Sequence, residues 1–535
     1  MVDEVFRHGR HALAALFTAL ALLWLSVAAE AHASLVGSTP ADGTVVASAP
    51  ASYVLQFNEP VSPLKLTLVQ PDGNTLSLDG FELKDRTLEI VAPSGLGSGT
   101  HVLSWRVVSE DGHPIGGSVV FSIGEPSARP DTAGNQIDWT VRAGLWTGKL
   151  MLYLGLFIGA GGVFALTWLI DGTRHGSRPV LAALGIGFAG IPLSVAFQGL
   201  DLLAAAPARI LDPFVWSAAA GSSFGRTAGV ALLALAAGGI ALAVRGTTAR
   251  LAALAAVLLA GTALALSGHA SAANPQLLAR PAVFLHTVTV ALWTGALVPL
   301  GLALKRNDPR SLAALRRFSA AIPYAVAILV AAGIVLAALQ IDRPASLTGT
   351  AYGRVFLVKL ALLAALFALA AFNRWRLTHG AQAGESTARR GLTRSIAMET
   401  ALVVAIFAAV ACWRFTPPPR SLAEAAAQPE SVHIHTEKAM AEITVTPGRA
   451  GPVDVSVIVM SGEFGPLDAK EIGLVFSQPE SGIEPIRRPA GKSADGVWRA
   501  QGLVLPLAGT WQVRLDILIS DFEMTRLEGE LRLRP

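Results

Sequence analysis

Eight apolar runs fill the middle of the chain, at about 141–170, 179–200, 226–244, 251–268, 282–303, 320–340, 353–372 and 397–414. Each is long enough to cross the ~30 Å hydrocarbon core of a bilayer as a helix. In lipid every backbone N–H and C=O must be satisfied within its own segment, so such runs fold as a helical bundle. A moderately apolar stretch between the second and third runs, 202–222, suits the membrane interface. The composition agrees: 52% of the 535 residues are hydrophobic and 15% are charged, which fits an integral membrane protein with soluble parts and not a soluble enzyme.

The net charge of +4 is not a nucleic-acid signal, because the basic residues cluster in short loops between apolar runs. Alternate loops carry Arg174 and Arg178, then Arg245 and Arg250, then Lys305, Arg306, Arg310, Arg316 and Arg317, then Arg374, Arg376, Arg389, Arg390 and Arg394. The positive-inside rule makes those loops cytoplasmic and both flanking soluble regions extracytoplasmic. Residues 1–31 read as a signal peptide: Arg7 and Arg10, an apolar run, then Ala29-Glu30-Ala31 as a small-x-small cleavage site. The leader and the loop charges thus give the same orientation. The single cysteine, Cys412, allows no internal disulfide and no thiolate cluster. A metal site must use His, carboxylate, Met or backbone donors, which suit copper(II), zinc or nickel better than copper(I) held by thiolates.

Residues 32–125 read as an all-β Greek-key sandwich, with strands expected at 52–57, 64–69, 87–91, 101–108 and 118–123 separated by Pro-Asp-Gly and Ser-Gly turns. Cleavage after Ala31 makes His32 the first residue, where a free amine and an imidazole on one residue can chelate. In Asp111-Gly112-His113-Pro114, residues two apart on extended chain point the same way, so Asp111 and His113 can converge on one ion. The competing reading is an ordinary Asp-Gly turn with a surface histidine. His101, at a strand start with no donor partner in sequence, reads as structural or surface. A polar linker, 126–138, leads into the membrane block, 139–415.

Inside that block one stretch stands out, from Ser267-Gly-His269 to His286 and Leu292-Trp293-Thr-Gly295. If its second helix begins after Pro281, His286 sits roughly 8 Å below the start, near the depth of His269. Ionisable groups within spans are costly and mark functional candidates. Three readings compete: a metal pair, a hydrogen-bonded contact between helices, and axial ligation of haem. Lys359 is expected to snorkel outward and Glu399 to be solvated at the interface, with a place for Glu399 in an exit path left open.

Thr416-Pro-Pro-Pro419 stops the last helix. A linker, 416–430, precedes a second short-strand pattern over 431–535, expected to be an immunoglobulin-like sandwich. At its entrance His433 and His435 occupy alternate strand positions, as metal donors or as two exposed histidines.

Three resemblances add to this reading. The His32 start, Phe57-Asn-Glu59-Pro60, and Ser109-Glu-Asp111-Gly-His113-Pro followed by Gly117 and Phe121 closely resemble the CopC family of periplasmic copper proteins. That resemblance implies His32, Asp111 and His113 as copper(II) ligands, with Glu59 as neighbour or ligand. Gly268-His269-Ala, Leu285-His286, Leu292-Trp293-Thr-Gly295, Arg317-Phe318-Ser319, Tyr352-Gly353-Arg354, Lys359 and Asn373-Arg374 resemble the CopD family of inner-membrane copper proteins. The order of the two resembles YcnJ-type copper uptake proteins, and the C-terminal domain is similar to YtkA-like domains through Gly-Thr-Trp511 and its strand spacing.

The expectation is therefore a multi-pass protein of the bacterial cytoplasmic (inner) membrane, not an enzyme. It captures copper(II) outside through His32, Asp111, His113 and Glu59 and passes it by way of His269 and His286. Its partners are the copper ion, the lipid bilayer and periplasmic copper chaperones as donors, with no nucleic acid. The alternatives are sequestration or sensing without transport, a haem-binding membrane oxidoreductase, and β domains that serve as assembly surfaces for other proteins.

Overall fold

The computed structural model describes residues 35–40, 44–46, 48–57, 59–109, 114–124, 127, 138–170, 176–427, 429–436, 438–462, 465, 467–493 and 495–534. The expected leader, His32, Asp111, His113 and most of the 126–138 linker lie outside them.

The N-terminal region is two β-sheets packed face to face. One runs in the order β1 (Leu35–Thr39), β3 (Ser52–Phe57), β7 (Thr87–Val91), β6 (Phe81–Lys84). The other runs β2 (Thr44–Val46), β9 (Pro114–Ile123), β8 (Gly99–Val108), β4 (Ser62–Val69), β5 (Thr75–Ser77). Alternation drives the packing: Tyr53 and Leu55 on β3, Leu88 and Ile90 on β7, and Leu103, Trp105 and Val107 on β8 all point into one core. Burying a large apolar side chain contributes about 1.5–3 kcal/mol, so this alternating set accounts for most of the drive to close the sandwich. His101 belongs to the interior. It is fully buried, its ring stacks on Phe121 at 5.5 Å, and its Nδ1 lies 3.0 Å from the Gly99 carbonyl. The structural reading of His101 holds and the surface reading does not.

Among the described residues, eight helices are long and apolar enough to cross a membrane: Trp139–Leu169, Ser177–Leu203, Ser223–Ala243, Gly246–Ala265, Gln276–Lys305, Ser311–Gln340, Ala351–Gln382 and Ser386–Ala423, called here the first to eighth spans. The first and fifth cross at backbone contact. A Cβ on Gly161 would lie 2.1 Å from the Ala291 carbonyl oxygen, and one on Gly295 would lie 2.2 Å from the Gly161 carbonyl carbon. Small residues are what allow helix backbones to approach so closely in lipid. The Trp293-Thr-Gly295 run is thus partly a packing device: Gly295 makes the crossing and Trp293 stacks on Phe367 of the seventh span at 5.5 Å. Two π-helical stretches, Leu154–Ala160 and Ala165–Leu169, flank the crossing in the first span.

The C-terminal region has the expected all-β character. Its strands are β10 (Glu430–His435), β11 (Ala439–Thr446), β12 (Gly451–Ser461), β13 (Glu471–Gln478), β14 (Ile483–Lys492), β15 (Trp498–Leu505), β16 (Gly509–Ser520) and β17 (Glu523–Leu533). They run in the order β10-β11-β12-β15-β14-β13-β16-β17. β14 pairs along β13 but meets β15 only at Gly491 and Lys492, so it turns the corner between two facing halves. The ends nearly close: a Cβ on Gly529 of β17 would lie 2.8 Å from Ile434 of β10. Trp511 fills the centre, fully buried, with its indole N–H donating to the Leu507 carbonyl at 3.0 Å.

Candidate metal-handling site

The strand registers bring the flanks of the expected copper ligands to one end of the first sandwich. Leu35 pairs with Phe57, so the start of β1 lies beside the end of β3. Glu59 follows two residues later and is 1% exposed. Ser62 pairs with Val108, and Val108 with Pro114, so β4 begins where the β8–β9 hairpin turns. Leu35, Glu59, Ser109 and Pro114, which bracket His32, Asp111 and His113, therefore share that end. The floor beneath is aromatic. Trp105 stands edge-on to Phe57 at 5.3 Å and lies over Gly117, its direct cross-strand partner. A Cβ at Gly117 would fall 2.5 Å from the indole Cζ2, so the glycine gives the ring its place. Glu59 thus brings a buried carboxyl group to the end of the sandwich where the Phe57–Trp105 pair packs.

That end is seated on the helical bundle. From β8, Arg106 donates through Nε to the Leu202 carbonyl at 2.5 Å and through a terminal nitrogen to the Asp201 carbonyl at 2.6 Å. These carbonyls belong to the last turn of the second span, at its negative pole, and the Asp201 carbonyl also accepts from the Ala204 N–H at 3.3 Å. The Asp201 carboxylate in turn pairs with Arg414 at the end of the eighth span. Leu64 of β4 packs against a cluster of Val141, Leu145, Leu200, Leu203 and Val215. Sequence reasoning did not find this contact. The available signals were the one arginine of β8 and an acid at the end of a span.

His269 and His286 both meet the sixth span. The His269 carbonyl accepts from Gln340 Nε2 at 2.9 Å. The His286 ring sits against Gly333, with its Nδ1 3.3 Å from the Leu329 carbonyl. They do not share a depth. The fifth span starts at Gln276 and not after Pro281, which places His286 roughly 15 Å along it. Gly333 and Gln340 are two turns apart, so His286 and the backbone of His269 are separated by about 10 Å along the sixth span. Pro281 misleads because proline favours a first turn, whereas here Pro275 stands before the first turn and Pro281 lies inside the helix. Lys359 Nζ lies 5.0 Å over the Trp413 ring, which is stacked on Tyr352. Glu399 is not solvated as expected. It is 4% exposed and accepts from Asn373 Nδ2 at 2.7 Å.

Among the described residues, no group of three or more His, Cys, Asp or Glu is placed to hold a metal ion. In the last domain Ile434 is buried, so alternation puts position 433 on the outer face, where His433 is in register with Glu442. His435 is in register with Met440.

A β-sandwich seated on eight membrane-length helices defines a multi-pass membrane protein with an appended β domain. The family model for the CopC domain matches residues 35–124, and that for copper resistance protein D matches 312–413. The chain belongs to the copper resistance and transport proteins that join a CopC domain to a CopD domain. It is 26% identical over 533 residues to "Copper transport protein CutJ" of Bacillus subtilis (strain 168), covering 94% of this chain and 96% of that protein. It is 38% identical over 109 residues to "Copper resistance protein C" of Pseudomonas syringae pv. tomato, covering 18% of this chain and 86% of that protein. The crystal structure of CopC from Methylosinus trichosporium OB3b shares 27% identity, over 19% of this chain and 100% of that one, at a TM-score of 0.16.

Proposed function

We propose that the chain captures copper(II) on the extracytoplasmic side of the bacterial cytoplasmic membrane and moves it inward through the bundle. The ligands are His32, Asp111 and His113, with Glu59 beside them. Nitrogen and carboxylate donors in such a set favour copper(II). The observation that carries the reading is the seating of the sandwich: Arg106, three residues before the β8–β9 turn, is bound to the end of the second span. An ion released from that end meets the bundle and not bulk solvent. The next donors are His269 and then His286, which lies deeper and against the sixth span. The loops rich in Lys and Arg face the cytoplasm. The process is ligand exchange, with no substrate bond made or broken, so the chain is not an enzyme. Periplasmic copper chaperones are suitable donors.

A second reading, capture without transport, draws on one observation: the described residues of the bundle contain no three-donor group. Copper entry into sealed vesicles separates the two. Transport predicts entry that depends on the protein and falls to the protein-free level in the His269→Ala plus His286→Ala variant. Copper bound outside with none entering would leave capture alone.

A further inference from the structure

Glu399 of the eighth span is a carboxyl group buried inside the apolar block and outside the copper path proposed above. It is 4% exposed, and among the described residues it forms no ion pair. Asn373 of the seventh span, itself 6% exposed, gives it one hydrogen bond, Nδ2 to Oε1 at 2.7 Å. Two more oxygens here are buried with no hydrogen-bond partner, Asn373 Oδ1 and Ser395 Oγ. Ser395 lies one turn from Glu399 on the same helix face. A π-helical turn, Asn373–Leu377, presents the amide, and Thr378 Oγ1 donates to the Asn373 carbonyl at 2.8 Å. Such turns often mark functional sites within helices.

A carboxyl at this depth with no basic partner reaches neutrality with a proton or a cation. The hydrogen-bond inventory selects the proton. An ionised carboxylate only accepts, so it leaves Asn373 Oδ1 without a donor. A proton on the second carboxyl oxygen supplies that donor and closes the acid–amide pair with two bonds.

We propose that Glu399, paired with Asn373, is a proton-binding site in the half of the bundle next to the arginine-rich loops, with the Ser395 and Thr378 hydroxyls leading from it toward those loops. Charged groups on the surrounding elements are placed elsewhere. Arg374 donates to Ser319, and Arg317 to the Leu169 carbonyl. Arg394 is exposed, Arg376 and His379 follow Asn373 toward the loop, and Lys305 ends the fifth span. Lys149 of the first span feels the charge of Arg414, at the opposite end of the eighth.

The test is infrared difference spectroscopy of the metal-free, full-length protein between mildly acid and mildly alkaline buffer. The wild type should show the carbonyl stretch of a protonated carboxylic acid, shifted in heavy water. Glu399→Gln should lose it. Asn373→Leu should retain it at higher frequency and with a different titration midpoint, because the acid has lost its amide partner. Identical spectra for wild type and Glu399→Gln would overturn the proposal, as would a carboxylate signal that follows added sodium or potassium instead of pH. Should Glu399→Gln fail to fold, Asn373→Leu decides, and an unmoved band there would overturn it. No copper enters the measurement, so it stands or falls apart from the transport reading.

Discussion

Replacing Arg106 by alanine tests whether the sandwich is held on the bundle by the second span's terminus. Among the described residues the guanidinium makes hydrogen bonds to the Leu202 and Asp201 carbonyls. At about 1.5 kcal/mol for each charge-assisted bond the gross contribution is about 3 kcal/mol. Freeing the long side chain returns roughly 1 kcal/mol of entropy, leaving roughly 2 kcal/mol. That lowers the ratio of docked to undocked sandwich about 30-fold. Arg106→Lys retains the charge but not the planar fork, so it should fall between the two. The assay is pulsed EPR between spin labels at Glu82→Cys and Leu211→Cys, both exposed, in a Cys412→Ser background. Wild type should give one narrow distance distribution and Arg106→Ala a broad one, while copper binding to the sandwich is unchanged. A narrow, unshifted distribution in Arg106→Ala would refute the reasoning and leave the Leu64 contact as sufficient.

Three other outcomes follow from the packing and the charges. Gly117→Ala drives a methyl to 2.5 Å from the Trp105 ring, so the sandwich should lose about 1–3 kcal/mol, read from its thermal transition, and bind copper more weakly. Gly295→Val forces the first and fifth spans apart at Gly161 and should lower the bundle's melting temperature, whereas Gly185→Ala, where a Cβ meets nothing within 4 Å, should not. Burial lowers the basicity of His101 from its usual 6.5, against a smaller opposing effect of the Gly99 carbonyl. The unfolded chain then binds the proton more readily than the folded one, so this contribution is whole above about pH 6.5 and is lost as the pH falls below it. The sandwich of His101→Phe should melt with a flatter acid limb; an unchanged limb would mean His101 does not set it.

The membrane block was legible because lipid leaves the backbone so few choices: each of the eight apolar runs lies within or overlaps one of the eight spans found among the described residues, the fifth to eighth of which are two turns or more longer than their runs. In the first sandwich the expected strands match β3, β4, β7, β8 and β9, whose apolar alternation is strong. β6, Phe81-Glu-Leu-Lys84, alternates but was hidden because four residues are too short a run to mark a strand, and all four are exposed. The depth of His286 was misjudged because a proline inside the helix looked like its start. The burial of Glu399 has no local signal, because its position near the start of an apolar run does not reveal that Asn373 meets it from another helix. The Arg106–Asp201–Arg414 connection joins three distant parts of the chain, and no local pattern encodes it.

The central claim is that copper held at the sandwich's seated end goes on through the bundle histidines. It is tested most directly by the copper content of cells that express the wild type or the His269→Ala plus His286→Ala variant at equal levels. The account predicts that the variant matches cells lacking the protein, although its sandwich still binds copper. Equal copper in wild-type and variant cells, both above that control, would contradict it.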